Sequence, residues 1–237
     1  MSFNFTFSKI KQYYEQALLN DYTVITCEEF ARCKELESRS PTLVNRVDID
    51  LSVTKADRLR QIFKELGIKA SFFVRLHAPE YNPFSFENYR ILKAIRDDGH
   101  EIGYHSEIVD QAAIWNEDPQ DCLLRDVAIL NNLLDIDIKG VASHGGSTGL
   151  NNLDFWREKK ASTFGLLYEA YDSSSDFGLF ETSFYISDSE WTQWKCYDRG
   201  VLREGDRRTP AQHFEDRHPL VYMLIHPDTY YENHIYE

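Results

Sequence analysis

The residues best suited to chemistry begin with two aspartates, Asp48 and Asp50, in the short stretch 46–52. The stretch has the composition of a buried strand that ends in polar residues. Because the two aspartates are two positions apart, a strand would place both carboxylates on one face, opposite Val47 and Ile49. Two adjacent carboxylates repel each other unless a cation or a shared proton compensates their charge. The pair therefore predicts either a metal site or a catalytic pair.

Three histidines complete the pattern. His105, His144 and His226 each follow a short apolar stretch that is typical of a strand. In parallel β/α sheets and barrels, functional groups lie at the carboxyl ends of the strands. One aspartate and two neutral histidines suit zinc or another divalent first-row metal and leave positions open for water and substrate. The strand ends together predict one metal-dependent site.

The elements that must position these residues alternate between strands and helices. A helix is predicted over residues 55–66, and Gly67 stands where a glycine C-cap belongs. A strand is predicted next, over residues 70–74. A strand–helix–strand unit of this length is typical of parallel β/α architecture.

The same alternation continues along the chain. We expect further helices over 86–96, 119–134 and 151–160, and further strands over 100–105, 140–144, 164–168, 180–186 and 220–225. The most polar portion, residues 198–217, is expected to be a long loop or an irregular helix. Residues 1–42 are expected to form an N-terminal helical preamble packed on a β/α domain of residues 43–237.

Composition narrows the class of partner. A net charge of −13 argues against nucleic acid or an anionic membrane surface as the main partner. No apolar segment reaches the roughly 18 residues of a transmembrane helix, and the N-terminus lacks the pattern of a signal peptide. We therefore expect a cytoplasmic protein.

None of the four cysteines forms a C-x-x-C pair, which argues against a thiolate zinc knuckle or a thioredoxin-like motif.

Ordered motifs along the chain resemble the polysaccharide deacetylase family, of carbohydrate esterase type. They are Arg-x-Asp-x-Asp from Arg46, Ala-Ser-Phe-Phe-Val from Ala70, Gly-His-Glu-Ile-Gly-Tyr-His from Gly99, Ser-His-Gly from Ser143, Tyr-Asp-Ser-Ser from Tyr171 and Leu-Ile-His-Pro from Leu224. The resemblance covers about residues 43–230 and is to a divergent branch with Asp-x-Asp in place of adjacent aspartates. It implies an α/β fold, an irregular (β/α)7 barrel, and metal-dependent removal of an acetyl group from a sugar.

The resemblance also implies a role for each matching residue. Asp50 and His105 fall at positions of metal ligands, and Asp48 is the candidate general base. His226 matches the late histidine that serves as the general acid. Arg46 is expected either to hold Asp48 ionised and oriented or to pair with a carboxylate at the barrel floor.

One ligand that the family would supply is missing. The family's His-x-x-x-His motif would place a second histidine at position 109, which here is Val109. His144 is the nearest substitute as the third ligand, and Glu107 is the other candidate. The implied cofactor is a divalent metal, with zinc preferred. Asp228 is expected to be the carboxylate that keeps His226 protonated.

Three functions are compatible with these residues. The first is a metal-dependent hydrolase that removes an acetyl group, preferably an N-acetyl group, from a sugar or glycan precursor. The second is a metal-dependent amidohydrolase acting on another small C–N substrate, because function resides in the site and not in the fold. The third, favoured by Val109, is a catalytically inactive carbohydrate-binding barrel. Trp191, Trp194 and Tyr197 are expected either to stack on a sugar ring or to cover the edge of the barrel.

Overall fold

A computed structural model of the chain describes residues 4–33, 40–174 and 176–236. Ten strands in these ranges form one sheet. The strands, in chain order, are β1 (Thr23–Ile25), β2 (Thr42–Ile49), β3 (Ser71–Val74), β4 (Glu101–Ser106), β5 (Gly140–Ser143), β6 (Tyr168–Glu169), β7 (Phe184–Ser187), β8 (Lys195–Asp198), β9 (Val201–Leu202) and β10 (Leu220–Ile225).

Eight α-helices in the described ranges connect or flank these strands. They are α1 (Phe7–Leu19), α2 (Cys27–Arg32), α3 (Val53–Leu66), α4 (Phe86–Asp97), α5 (Ile108–Trp115), α6 (Pro119–Leu134), α7 (Leu179–Thr182) and α8 (Pro210–Glu215). Three 3-10 helices cover Asn152–Glu158, Ala161–Phe164 and Pro227–Thr229. In the part of the chain that the structure describes, no helix is both long and apolar enough to cross a membrane.

The sheet is parallel over most of its width. Its hydrogen-bonded order is β6-β5-β4-β3-β2-β10-β7-β8-β9, and β1 pairs with the first half of β2. The seven strands from β6 to β7 are parallel, whereas β8 and β9 are antiparallel additions at one edge. The predicted parallel α/β architecture is confirmed. Among the described residues β6 and β9 are the two edges of the sheet, so its hydrogen bonding does not close into a barrel.

Strand β2 is the centre of this arrangement. All eight of its residues are buried, and it pairs with β10 on one side and with β1 and β3 on the other. Alternate residues point to opposite faces. Val47 and Ile49 pack into the larger hydrophobic cluster, together with residues of α1 and α3, whereas Val44 packs into a second cluster with Phe73 and Tyr222. Because β2, β3, β4 and β10 are parallel, their carboxyl ends meet at one edge of the sheet.

The predicted helix boundaries hold where capping signals are strong. Ser52 caps α3 by accepting a hydrogen bond from the backbone N–H of Lys55, and Gly67 ends the helix with a left-handed φ of 67°. That conformation costs glycine little because it has no Cβ. Helix α6 coincides with the predicted range 119–134.

Several predictions for the second half of the chain are wrong. The expected helix at 151–160 is a 3-10 helix, and the expected strand at 164–168 is replaced by the end of another 3-10 helix and a two-residue strand. Gly165, with a φ of 76°, ends that second 3-10 helix and breaks the apolar run. The expected strand at 180–186 divides into α7 and β7, and the polar segment 198–217 contains β9 and α8. Helix α5 was not predicted.

The N-terminal segment contributes two helices, α1 and α2, and the strand β1. Buried residues of α1, among them Ile10 and Tyr14, belong to the main hydrophobic cluster, and Tyr14 donates a 2.6 Å hydrogen bond to Asn45 in β2. Strand β1 extends the sheet beside β2. The division of the chain into residues 1–42 and 43–237 stays a prediction.

A buried carboxyl group links several elements at the amino end of the sheet. Glu101, at the start of β4, accepts hydrogen bonds from the hydroxyl groups of Ser71 and Tyr168 and from the backbone N–H of Glu28. Burial raises the pKa of Glu101 to about 7, even though these hydrogen bonds act in the opposite direction. The folded chain therefore favours the protonated form of Glu101 at pH values where an exposed glutamate is ionised.

This shift predicts how stability depends on pH. The folded-state pKa lies above the unfolded value of roughly 4.3, so the contribution of Glu101 is fully present below that value and is lost as the pH rises through 7. We expect the free energy of unfolding of the wild type, relative to Glu101→Gln, to fall by about 1 kcal/mol per pH unit between pH 5 and 7. Urea unfolding at several pH values measures this difference. Glu87→Gln, at an exposed position, is the control, and parallel curves for wild type and Glu101→Gln would contradict the prediction.

Candidate active site

Arg46 and Asp48 form a buried ion pair near the carboxyl end of β2. Arg46 Nε donates to Asp48 Oδ1 at 2.8 Å and Nη2 donates to Oδ2 at 2.7 Å. Their side chains are 0% and 3% exposed. The guanidinium also donates to the hydroxyl oxygen of Tyr222 at 3.1 Å and lies 4.6 Å from the ring centroid of Tyr171. A two-point contact of this kind fixes the orientation of the carboxylate.

The ion pair also keeps Asp48 charged. Burial alone would raise the pKa of Asp48, but the adjacent Arg46 guanidinium outweighs burial and holds that pKa below its usual range. Asp48 Oδ2 lies 3.4 Å from His105 Nε2. Arg46 was expected either to orient Asp48 or to pair with a carboxylate at the barrel floor. The structure places it beside Asp48.

Asp50, His105 and His144 converge next to this pair. One potential ligand atom from each lies within 4.8 Å of the others. His105 Nδ1 lies 2.8 Å from the backbone oxygen of Ala142 and must donate to it, so the neutral ring carries a lone pair on Nε2. That nitrogen faces Asp50 Oδ1 at 3.2 Å.

The contact between Asp50 and His105 brings two acceptor atoms together. Asp50 Oδ1 is buried and has no hydrogen-bond partner among the described residues. A cation between the two acceptor atoms, or a proton on His105 Nε2, would satisfy both. The donor set of one carboxylate oxygen and two imidazole nitrogens fits zinc and other divalent first-row metals.

The neighbouring histidines favour the ionised form of Asp50, which is the form that binds a metal. Burial alone would raise the pKa of Asp50, but His105, His226 and His144 outweigh burial and hold that pKa far below its usual range. Without a bound cation, the carboxylates of Asp48 and Asp50 raise the pKa of His105 although burial alone would lower it. Metal binding to this group of residues would therefore displace a proton from His105.

The third member of the cluster is His144 and not Glu107. Glu107 Oε1 accepts a 2.8 Å hydrogen bond from Arg75 Nη2 and lies 3.2 Å from His144 Nδ1. Val109 lies in the first turn of α5, where its backbone N–H donates to Asn152 Oδ1 at 2.9 Å. Glu107 therefore stands behind His144 and not beside Asp50.

The carboxylate partner of His226 is Asp188, which the sequence interpretation missed. His226 Nδ1 lies 2.6 Å from Asp188 Oδ1, and the His226 backbone N–H donates to Asp188 Oδ2 at 3.0 Å. The expected partner, Asp228, instead accepts a 2.9 Å hydrogen bond from the backbone N–H of Leu51. Asp188 follows β7 as His226 follows β10, and these strands are paired neighbours. A correct boundary for β7 would have placed the two residues together.

This contact controls the charge of His226. Burial alone would lower the pKa of His226, but Asp188, Asp50 and Asp48 outweigh burial and raise that pKa to about 9. His226 Nε2 lies 3.8 Å from Asp50 Oδ2, on the side of the ring away from Asp188. In the metal-free protein, this pKa favours the cationic form of the ring at neutral pH, with its second N–H directed toward the cluster.

The aromatic residues expected to form a platform have different surroundings. The ring of Trp191 is 43% exposed and lies nearly parallel to that of His226, with centroids 6.4 Å apart. Trp194 is buried and stacks on Phe5, with ring centroids 5.5 Å apart. Tyr197 packs against Phe180 at the edge of the sheet. Only Trp191, of the three, is both exposed and next to a predicted catalytic residue.

A cavity of about 450 Å³ adjoins the site through Tyr171. Its wall includes Asp172 and Ser173 from the Tyr-Asp-Ser-Ser motif, together with Trp156 and Glu169. The ring of Tyr171 lies over Arg46 and connects the cavity to the buried ion pair. The cavity thus combines aromatic and polar groups, and the contact between Tyr171 and Arg46 is its link to the buried ion pair.

Comparison with known proteins finds similarity among solved structures. No family model and no curated protein matches the sequence. A family 4 carbohydrate esterase from Bacillus anthracis is 14% identical, with 94% of this chain and 79% of that chain covered and a TM-score of 0.48. A polysaccharide deacetylase from Bacillus cereus is 16% identical, with 78% of each chain covered and a TM-score of 0.46.

A pseudoenzyme of the same esterase family from Bacillus anthracis also matches, at 16% identity and a TM-score of 0.48. The match covers 81% of this chain, which spans little more than half, 56%, of the pseudoenzyme. The assignment to an Asp-x-Asp branch stays a prediction. The arrangement of side chains, and not similarity at this level, carries the functional argument below.

The contact between His226 and Asp188 yields a direct test. In metal-free protein we expect the pKa of His226 to fall from about 9 to below its ordinary value in Asp188→Asn, because burial would then act against a weakened set of charges. Histidine NMR titration measures this pKa, with the His226 signal assigned from a His226→Gln spectrum. Asp228→Asn is the matched control and should leave the pKa close to that of the wild type. An unchanged pKa in Asp188→Asn would show that Asp188 does not set the charge of His226.

Proposed function

We propose that this chain is a metal-dependent hydrolase that removes an acetyl group, preferably an N-acetyl group, from a sugar or glycan precursor. One observation carries the proposal. Asp50, His105 and His144 bring their ligand atoms within 4.8 Å of one another, and Asp48 and His226 stand beside them. Ligands, a base and an acid at the carboxyl edge of a parallel sheet are the parts that hydrolysis of an amide or ester needs.

Asp50, His105 and His144 would hold the metal, which we propose to be zinc. When bound, such an ion lowers the pKa of a coordinated water and polarises the acyl carbonyl group. Asp50 supplies the anionic ligand because its pKa is held low. His105 supplies Nε2, since its Nδ1 is committed to the backbone oxygen of Ala142.

Asp48 and His226 divide the proton transfers between them. Asp48, held ionised and oriented by Arg46, accepts a proton from the attacking water. His226, held cationic by Asp188, donates a proton from Nε2 to the leaving nitrogen or oxygen. Because Arg46 lowers the pKa of Asp48 while Asp188 raises that of His226, one residue is a charged base and the other a charged acid at the same pH.

The surroundings of the site suit a sugar. The exposed ring of Trp191 could stack on the apolar face of a pyranose. The cavity beside Tyr171 offers Asp172 and Ser173 as hydrogen-bonding partners for hydroxyl groups. An acetylated sugar therefore matches the available contacts better than a wholly apolar amide does.

Two aspartate variants test the division of roles. Metal-stripped wild type should regain about one equivalent of Zn²⁺ or Co²⁺ and release acetate from one or more members of a panel of N-acetylated sugars and nucleotide sugars. Asp50→Ala should lose both metal and activity, whereas Asp48→Asn should keep the metal and lose roughly 10²- to 10⁴-fold in kcat. Elemental analysis and an acetate assay measure the two properties.

Asp97→Asn, at an exposed position, is the control for loss of one negative charge and should match the wild type in both assays. Activity that survives Asp50→Ala would refute the proposed ligand. A metal-loaded protein that releases no acetate but hydrolyses other small amides would favour the amidohydrolase alternative. A wild type that takes up no metal would refute both enzymatic functions.

A further inference from the structure

A buried salt bridge lies directly behind the third proposed ligand. Arg75 and Glu107 are each 5% exposed, and Arg75 Nη2 donates to Glu107 Oε1 at 2.8 Å. Arg75 follows the last residue of β3 and Glu107 follows the last residue of β4. The salt bridge therefore lies at the same sheet edge as the metal-ligand cluster.

Each partner of this salt bridge contacts a different proposed ligand. Arg75 Nη1 donates to the backbone oxygen of Asp50 at 2.8 Å. Glu107 Oε1 lies 3.2 Å from His144 Nδ1. A continuous polar chain thus runs from the backbone of Asp50 through Arg75 and Glu107 to the imidazole of His144.

The backbone of His144 is held by other groups. Its N–H donates to the backbone oxygen of Ser106 at 2.9 Å, and its carbonyl oxygen accepts a 3.1 Å hydrogen bond from Asn152 Nδ2. Asp110 ties down the following turn by accepting from the backbone N–H groups of Ser147 and Thr148. These backbone contacts do not fix the rotation of the His144 imidazole ring. Glu107 contacts that ring.

Stability alone does not account for the buried pair. Moving a guanidinium and a carboxylate out of water costs several kcal/mol, and replacing such a pair with apolar residues is often neutral or stabilising. Within the described residues, Arg75 Nε and Glu107 Oε2 are buried without hydrogen-bond partners. The hydrogen bonds of the described residues therefore do not fully offset the cost of burying these two charges.

We propose that Glu107 is the positioning residue for His144 and that Arg75 holds Glu107 in register with Asp50. His144 Nδ1 is buried without a hydrogen-bond partner among the described residues and lies 3.2 Å from Glu107 Oε1. A small rotation of the ring would let Glu107 accept the Nδ1–H, and Nε2 would then face the metal. Carboxylates that accept the second N–H of a ligand histidine fix its ring orientation and tautomer in many metal sites. This inference rests on the proposed metal-dependent function. It explains how His144, directly after β5, can be the third metal ligand although position 109, where the family motif has a histidine, is a valine.

A double-mutant cycle on metal affinity tests the inference. We expect Glu107→Gln to weaken Zn²⁺ binding roughly 10- to 100-fold, measured by competition with a chromophoric chelator, and to change the visible absorption spectrum of the Co²⁺ form. His144→Ala should weaken binding more. The double variant should bind no more weakly than His144→Ala, because Glu107 acts only through that ring.

Glu80→Gln is the matched control. Glu80 Oε2 lies 3.6 Å from Arg75 Nη1, but the Glu80 side chain is 40% exposed. This variant should keep the affinity and the Co²⁺ spectrum of the wild type. Thermal unfolding confirms that each variant is folded, and Glu107→Asp, which keeps the charge but shortens the reach, replaces Glu107→Gln if that variant is unfolded.

The outcomes separate this inference from the proposed function. Wild-type affinity and an unchanged Co²⁺ spectrum in a folded Glu107 variant would overturn the positioning role while leaving metal-dependent acetate release intact. Additive losses in the double variant would also overturn it, because Glu107 would then act on the metal independently of His144. Failure of the wild type to bind any metal would overturn the inference and the proposed function together.

Discussion

Two carboxylates at the carboxyl end of β2, Asp48 in the strand and Asp50 just after it, must be compensated, and the rest of the site is arranged around that requirement. Asp48 is compensated by a guanidinium that is itself buried, through two hydrogen bonds of normal length. Asp50 has no such partner, and one of its oxygens faces the nitrogen of His105 that is not bound to the backbone. The carboxyl end of β2 thus presents one carboxylate that is already neutralised and one that is available to a cation.

The parallel sheet brings the remaining groups to this pair. Strands β4, β5, β7 and β10 end at the same edge as β2, so His105, His144, Asp188 and His226 surround the two aspartates although they are far apart in sequence. The electrostatic consequences follow from proximity. The carboxylates raise the pKa of His226, and the histidines lower that of Asp50. The fold therefore sets the charge of each side chain as well as its position.

The sequence was sufficient to locate the residues that lie at strand ends. Asp48, Asp50, His105, His144 and His226 could be grouped because parallel strands share a carboxyl edge, and the structure places them there. Asp188 and Arg75 escaped notice for different reasons. The strand before Asp188 was predicted to end at residue 186, one residue before β7 ends, so Asp188 did not directly follow a predicted strand. Arg75 looked like an ordinary charged residue after an apolar run. Contacts between two side chains, such as Arg75 and Glu107, depend on rotamers and loop geometry, which the hydrophobic periodicity of the sequence does not predict.

The regular elements were predicted better than the irregular ones, for a similar physical reason. Helix α3 has a capping serine and a terminal glycine, and β2 has strong hydrophobic alternation on its core-facing side. The segment between β5 and β7 has caps at Asn151 and Gly165, but its apolar residues do not alternate regularly. Its 3-10 helices and two-residue strand are stabilised by side-chain packing, such as the edge-to-face and tilted ring contacts among Phe155, Trp156 and Phe164, and not by local propensity.

The claim that Asp50, His105 and His144 hold a divalent metal can be tested most directly by crystallography of zinc-loaded protein. An anomalous difference map recorded at the zinc absorption edge should show a strong peak within about 2 Å of one donor atom from each of the three side chains. A peak at another ligand group instead, such as Cys196, Asp206 and His213, whose donor atoms also lie within 4.8 Å of one another, would contradict the account. So would a map without a peak at Asp50.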